Sequence, residues 1–308
     1  MKYPIVGLAP MDGVTDAAFR FIVDTYGKPD IIYTEFVSVK GLQIGRPAMM
    51  RMLLKHETKT PTVVQLFGSD PKLFYPAAIT VLKKGFDGVD INMGCPDHSV
   101  FSRGGGAALI LKPKIAEEII KSVKKAVKDY GGKEVPVSVK TRTGYKVHQT
   151  KEWISQLLEA EPDIICVHGR TYEQKFSGKA DWEQIALAAE LAKKTRTKIL
   201  GNGDVKTKLE ALEKVKKHNL AGVLIGRAAL GNPWVFQDII PTLEERIKVI
   251  LEHSQKFNDF LPYGDFKSMR KHLAWYAKNF DGSAKIRNEL MKVNNIEDVR
   301  KICQKLLS

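Results

Sequence analysis

Eight short apolar runs punctuate the first three quarters of the chain, each followed by a polar or glycine-bearing turn and then by residues with helical periodicity. They fall at 5–10, 31–36, 62–67, 88–93, 135–142, 164–170, 198–204 and 222–227, and read as strands because they are brief, apolar and bounded by turn residues. Helices are predicted between them. Thr15 or Asp16 caps one that runs through Tyr26 and is closed by Gly27, and Asp70 caps and Pro71 opens another that runs to Gly85. Others run from Pro113 to Tyr130 with a stop at Gly131 and Gly132, around Trp153 to Ala160, to a point near Lys194, and from Lys208 to His218. Eight strands alternating with helices in about 240 residues predict an α/β fold, a (β/α)8 TIM barrel over residues 1–240. A doubly wound sheet shares the alternation, but no strand leads into the glycine fingerprint of a dinucleotide fold.

From Thr242 onward every segment is helical by pattern. Thr242 and Glu245 form a capping-box signature with helical spacing through Phe257, and further helices are predicted over 265–280, 283–293 and 296–307. Residues 241–308 are therefore expected to form a small all-helical C-terminal domain. Its stretch RKHLAWYAKNF at 270–280 interleaves bases with aromatics, which fits either a grip on RNA or an amphipathic helix with a Trp and Tyr core face; pattern alone favours the core.

Composition narrows the class. No run approaches the roughly 20 apolar residues that span a bilayer, and the chain enters a strand-like segment without a charged and apolar leader. A soluble cytoplasmic monomer with no membrane partner is expected. Cys95, Cys166 and Cys303 are too few and too scattered for a disulfide framework or a zinc site, so no metal is expected. The formal net charge of +14 suggests a polyanionic partner, because clustered Lys and Arg release counterions from phosphates, although lysine-rich helix faces are often only solvated surface.

The candidate chemistry lies where polarity interrupts the apolar runs. Gln65, Asn92, Lys140, Arg142, His168, Arg170, Asn202, Asp204 and Arg227 all sit at or just beyond a strand's C-terminal end, the rim on which barrel active sites are built. GNGD at 201–204 and GRAALGNP at 226–233 offer a phosphate subsite after the last two strands through Gly203, Gly226 and Arg227, against the plainer reading of ordinary glycine turns. Met11 and the backbone near Pro10 offer an apolar platform for a planar ring, Gln65 a two-sided amide for its edge, and Lys140 a cation beside a ring that becomes negative on reduction. Cys95, between Gly94 and Pro96 at the mouth of GVDINM, reads either as a reactive thiol or as a small buried hydrophobe.

Taken together and in order, APMDGVTDAAFR at 9–20, VQLFGSDP at 64–71, DINMGCP at 90–96, GGGAALI at 104–110, VKTRTG at 139–144, VHGRT at 167–171, GNGDV at 201–205 and IGRAALGNPWVF at 225–236 resemble the tRNA-dihydrouridine synthases. TEF at 34–36 and NMGCP resemble the bacterial B-type branch, and the C-terminal helices resemble the family's tRNA-binding domain. The resemblance implies an FMN enzyme that reduces the C5–C6 double bond of particular uridines in tRNA with electrons from NADPH or NADH. It implies FMN contacts from Met11, Gln65, Lys140, His168, Asn202, Gly203, Gly226 and Arg227, with Pro10 and Asp204 in the same site, and a proton from Cys95. Asn92 is then expected at the uracil edge, Arg142 and Arg170 at uracil or phosphate. The run SRGGGAALI at 102–110 is expected to form a mobile lid that carries Cys95 over the base. Two rivals remain: a flavin barrel dehydrogenase of a small pyrimidine-like substrate, and an RNA-binding or RNA-folding protein with secondary or lost redox activity.

Overall fold

β1 (Ile5–Leu8), β2 (Ile32–Ser38), β3 (Thr62–Phe67), β4 (Gly88–Met93), β5 (Val137–Arg142), β6 (Ile164–His168), β7 (Lys198–Asn202) and β8 (Gly222–Ile225) pair in parallel in chain order, and β8 pairs with β1 to close the barrel. The structure is a computed structural model and describes residues 3–131, 135–262 and 264–307. Helices return the chain outside the barrel, among them Ala17–Gly27, Pro71–Lys83, Pro113–Tyr130, Thr150–Glu159, Trp182–Ala192 and Lys208–His218. Every residue of β1, β4, β6 and β8 is buried, as strands held between an interior and a helical jacket must be.

The two-residue period of a strand sets the site. Ile5, Tyr33, Val63, Ile164, Cys166, Leu200 and Leu224 pack together inside the barrel, while Val64, Leu66, Val89, Ile91, Val139 and Ile165 belong to the main core shared with the helices. Two residues beyond Val63, Cys166 and Leu200 on the same inward face stand Gln65, His168 and Asn202. One mouth of the barrel is therefore polar above an apolar plug.

Several boundaries differ from the sequence expectation. β6, β7 and β8 end at His168, Asn202 and Ile225, so the predicted strand residues 169–170, 203–204 and 226 belong to the loops and Arg227 opens a 3-10 turn, Arg227–Ala229; Gly203, at φ +129°, turns the chain after β7. The first helix is capped by Asp16, whose carboxylate accepts the Phe19 N–H, but the left-handed residue at its other end is Lys28 rather than Gly27. Two short helices, Val39–Gln43 and Pro47–Met52, have no counterpart in the sequence reading. The expected stop at Gly132 lies outside the described residues.

After β8 every described element is helical: Leu243–Phe260, Arg270–Tyr276, Ser283–Leu290 and Ile296–Leu307, with 3-10 turns at Pro233–Phe236 and Phe266–Met269. The capping box at Thr242 and Glu245 is formed. The expected helix over 265–280 is instead a 3-10 turn followed by a short α-helix that stops at Tyr276. These helices pack Ile250, Phe257, Leu273 and Tyr276 against Ala18 and Ile22 of the first barrel helix and against Trp234. None of the described helices is long and apolar enough to cross a membrane.

Candidate active site

A cavity of about 730 Å³ occupies the polar mouth of the barrel. From the first half of the chain it is lined by Pro10 and Met11 after β1, Gln65 of β3, Asn92 of β4 and Cys95 just beyond it. The second half adds Lys140 and Arg142 of β5, His168 of β6, Asn202, Gly203 and Asp204 at the end of β7, and Gly226 and Arg227 after β8. Of the residues singled out from sequence, Arg170 alone does not line it.

A hydrogen-bond chain runs over the neighbouring strands β5, β4 and β3 to Cys95. Ser138 Oγ donates to Asp90 Oδ1 at 2.5 Å, and Gln65 Nε2 donates to Asp90 Oδ2 at 2.6 Å. Asn92 Nδ2 donates to Gln65 Oε1 at 2.9 Å, and Asn92 Oδ1 accepts the N–H groups of Gly94 at 3.1 Å and Cys95 at 2.8 Å. Each partner fixes the amide orientation of the next, because an amide offers donors on one side only. Asn92, expected at the uracil edge, here has both ends of its amide engaged in holding the turn. Gln65 is further placed by a backbone bond from its N–H to Thr34 Oγ1, where β2 steps out of register with β3 between Tyr33 and Phe36.

Two further bonds complete the cradle of the thiol. Arg142 Nε donates to the Gly94 carbonyl at 2.7 Å, and the Ala107 N–H donates to the Cys95 carbonyl at 3.2 Å. The glycine run at 104–106 is buried and continues into a 3-10 turn at Gly106–Leu111, so it is not the expected lid. Its glycines serve close packing: a Cβ on Gly106, at φ +58°, would stand 2.9 Å from the Cys95 carbonyl oxygen. The run is the bed under the turn that presents Cys95.

The electrostatics keep the thiol protonated. Burial pushes the Cys95 pKa up and outweighs the Asp97 N–H, the main opposing contribution; the charges of Asp97 and Asp12, which also line the cavity, add to the rise, and Arg142 opposes it least. Lys140 is half-buried, its pKa lowered mainly by desolvation, and among the described residues its ammonium has no hydrogen bond or ion pair. His168 is held well below the usual imidazole range by burial and by four nearby cations. Arg170 Nη1 lies 3.1 Å from His168 Nε2, and a guanidinium only donates, so Nε2 accepts and the ring proton sits on Nδ1.

The three arginines do different work. Arg170, expected at the substrate, is buried and spends its remaining donors on the Ser177 and Gly178 carbonyls and on both oxygens of Asp204, at 2.9 and 2.6 Å. Arg142 binds the Thr171 and Lys175 carbonyls besides that of Gly94, which ties the β5 and β6 loops to the Cys95 turn. Arg227 keeps an exposed guanidinium, anchored at one nitrogen by Asp204 Oδ1 at 2.9 Å. Burial raises the Asp204 pKa, but the Ala180 N–H and Arg170 outweigh it and hold the carboxyl below its ordinary range.

Sequence reasoning missed Asp90, Phe176 and Trp275. Asp90 carried a signal, an acid inside an apolar strand two residues before Asn92 on the same face. Phe176 lies in an irregular loop with no pattern to mark it; its exposed ring sits 5.3 Å from the Arg227 guanidinium and 5.8 Å from that of Arg142. Trp275 was assigned with Tyr276 to a core face, but Tyr276 alone is fully buried and Trp275 lines the cavity.

A closed parallel barrel with its cavity at the C-terminal ends of the strands defines a (β/α)8-barrel enzyme. Solved structures share that fold: a 2-naphthoyl-CoA reductase complex matches with a TM-score of 0.55 at 11% identity over 75% of this chain and 49% of that one. A morphinone reductase variant in complex with tetrahydroNAD matches at 0.52 and 9% identity, over 77% and 86%. In sequence, the family model described as Dihydrouridine synthase (Dus) matches residues 7–308. The "Probable tRNA-dihydrouridine synthase" of Staphylococcus aureus (strain MRSA252) is 33% identical, over 96% of this chain and 91% of that protein. The "Probable tRNA-dihydrouridine synthase 1" of Synechocystis sp. and the "Probable tRNA-dihydrouridine synthase 2" of Bacillus subtilis are each 31% identical, over 97% and 85% and over 96% and 92% respectively. The chain belongs to the dihydrouridine synthase family.

Proposed function

We propose that this protein is a flavin-dependent tRNA-dihydrouridine synthase that reduces the C5–C6 double bond of a uridine in tRNA. The observation that carries the reading is a single cavity joining a braced, protonated thiol, an unpartnered lysine, a neutral histidine and the glycine turns after β7 and β8. FMN fits these residues. Met11 Sδ lies 3.6 Å from where a Cβ on Gly226 would stand, so that glycine leaves room beside an apolar platform; Lys140 offers an uncommitted cation; Arg227 offers an exposed guanidinium for a phosphate. When bound, FMN supplies the hydride that reaches uracil carbon 6, and NADPH supplies the electrons.

The chain's own residues provide the rest. Cys95 donates its proton to carbon 5 and regains one from solvent; its raised pKa keeps that proton in place at neutral pH. Lys140 offsets negative charge gathered in the cavity, and His168, protonated at Nδ1, is a neutral donor. Residues 241–308 form the tRNA-binding domain in this reading, and the net charge of +14 holds the RNA around a uridine drawn out of its stack. TEF and NMGCP support the B-type branch.

Unmodified tRNA transcript incubated with the FMN-loaded enzyme and NADPH should yield dihydrouridine by nucleoside mass spectrometry. Cys95→Ala should retain flavin and its reduction by NADPH while losing nearly all dihydrouridine formation. A transcript left unreduced by the wild-type protein would defeat the reading.

A further inference from the structure

A second cavity, of about 450 Å³, adjoins the first and shares two of its walls, Leu230 and Trp275. The partition is fixed by backbone contact between the loop after β8 and the helix Arg270–Tyr276. Gly231 adopts φ +69°, and a Cβ there would lie 2.1 Å from the Trp275 carbonyl oxygen, so only glycine lets the two segments meet. The second cavity is lined by aromatic and aliphatic side chains, Trp275 and Phe280 with Ile239 and Ile240. Ile240 is 91% exposed and Ile239 45%, an arrangement that core packing does not explain.

Its charge is of one sign. Arg246 and Lys278 line it and no Asp or Glu does. Arg246 is half-buried, and desolvation lowers its pKa. Among the described residues neither of these two side chains makes a hydrogen bond or ion pair. Two nearby acids are committed elsewhere: Asp238 accepts the Lys208 and Leu209 N–H groups, and Glu245 accepts the Thr242 N–H. An apolar, ring-lined pocket bearing two idle cations fits a planar group that carries an anion.

We propose that this second cavity receives the nucleotide next to the target uridine, its base against Trp275 and the Ile239–Ile240 edge and its phosphate on Arg246 and Lys278. The proposal rests on the reading of the first cavity as the uridine site. A uridine pulled from its stack deprives its neighbour of a stacking partner, and a second ring-lined pocket beside the first replaces that partner while holding the strand open. Trp275, between the two cavities, stands where the strand passes from one to the other.

The test is a coupling experiment on the holoenzyme. Dihydrouridine formation is followed on a tRNA transcript and on transcripts with an abasic residue at each position flanking the reduced uridine, using wild-type protein, Ile240→Asp, and Arg246→Ala combined with Lys278→Ala. The double cation variant should raise the KM for tRNA about 10-fold with kcat and NADPH-driven flavin reduction unchanged. One abasic position should raise KM about 10-fold on the wild type and add nothing on Ile240→Asp, since the base and the pocket wall then report one contact. Abasic and protein effects that multiply in full, or a KM indifferent to both variants, would overturn the proposal. Absence of dihydrouridine with wild-type protein on the intact transcript would instead refute the functional reading beneath it.

Discussion

The position of the Cys95 thiol depends on Asp90, a residue that does not line the cavity. Replacing Asp90 with Leu removes both acceptors at once, so the buried Gln65 Nε2 and Ser138 Oγ lose the partner that fixes the order of amides leading to the Gly94 and Cys95 N–H groups. Leaving one such buried donor unpaired costs about 1–3 kcal/mol, and Asp90→Leu should lower the rate of uridine reduction about 10- to 100-fold while NADPH still reduces the flavin. Burial raises Asp90 to about 6 against its bonds from Ser138 and Gln65, so the carboxylate that orders the chain is formed only as pH rises through that value. Cys95, with its pKa raised, loses its proton only above the ordinary thiol range. The pH profile of uridine reduction should therefore rise through about 6 and fall on the alkaline side, and Asp90→Leu should abolish the acid limb alone. A rate independent of pH across that acid range in the wild type would contradict the assignment. Gln65, Lys140 and His168 were legible in the sequence because a polar side chain at the end of an apolar strand has few other uses. Arg170 was not legible, since a guanidinium that binds carbonyls and one that binds a ligand look alike until their partners are seen.

At the scale of elements, the glycine run at 104–106 shows why a pattern can be seen and still misread. Glycine serves mobility and close approach equally well, because both follow from the missing Cβ. The backbone distinguishes them: Gly105 would meet the Gly68 carbonyl oxygen at 3.0 Å and Gly106 the Cys95 carbonyl oxygen at 2.9 Å. Gly106→Ala should lower the thermal midpoint and reduce kcat for uridine reduction, leaving flavin reduction by NADPH intact. Gly85→Ala is the matched control, with φ +73° but no atom within 4 Å of the new methyl, and should lower the midpoint without moving kcat. Equal kcat in the two variants would show that the run does not position the thiol. The strand order was readable from periodicity, while the ends of β6, β7 and β8 were not, because a Gly followed by Arg or Asp fits a polar strand end as well as the start of a loop.

At the scale of the whole molecule, the C-terminal helices and the barrel share a buried histidine pair. His253 and His272 stand 4.8 Å apart, and both rings lie near Phe19 of the first barrel helix. Burial drives both pKa values down, that of His253 to about 3. The folded state thus holds both rings neutral while the unfolded chain takes up protons below about 6.5; stability is full above that pH and is lost as pH falls toward the folded value. Denaturant midpoints should decline from about pH 6.5 downward, and His272→Leu, which removes a ring with neither nitrogen bonded, should flatten the decline. An unchanged slope in that variant would mean that other groups govern acid stability. Neither the place of these histidines over Phe19 nor the partition formed by Trp275 was accessible from sequence, because each arises where a C-terminal helix meets a barrel segment that no local pattern links to it.

The most direct test of the central claim, that Cys95 supplies the proton when a uridine is reduced in this cavity, is the anaerobic reoxidation of NADPH-reduced holoenzyme by unmodified tRNA, followed through the flavin absorbance. The wild type should reoxidise rapidly and form dihydrouridine in step, whereas Cys95→Ala should remain reduced after the same addition. Equal reoxidation of the two proteins, with equal dihydrouridine, would contradict the account.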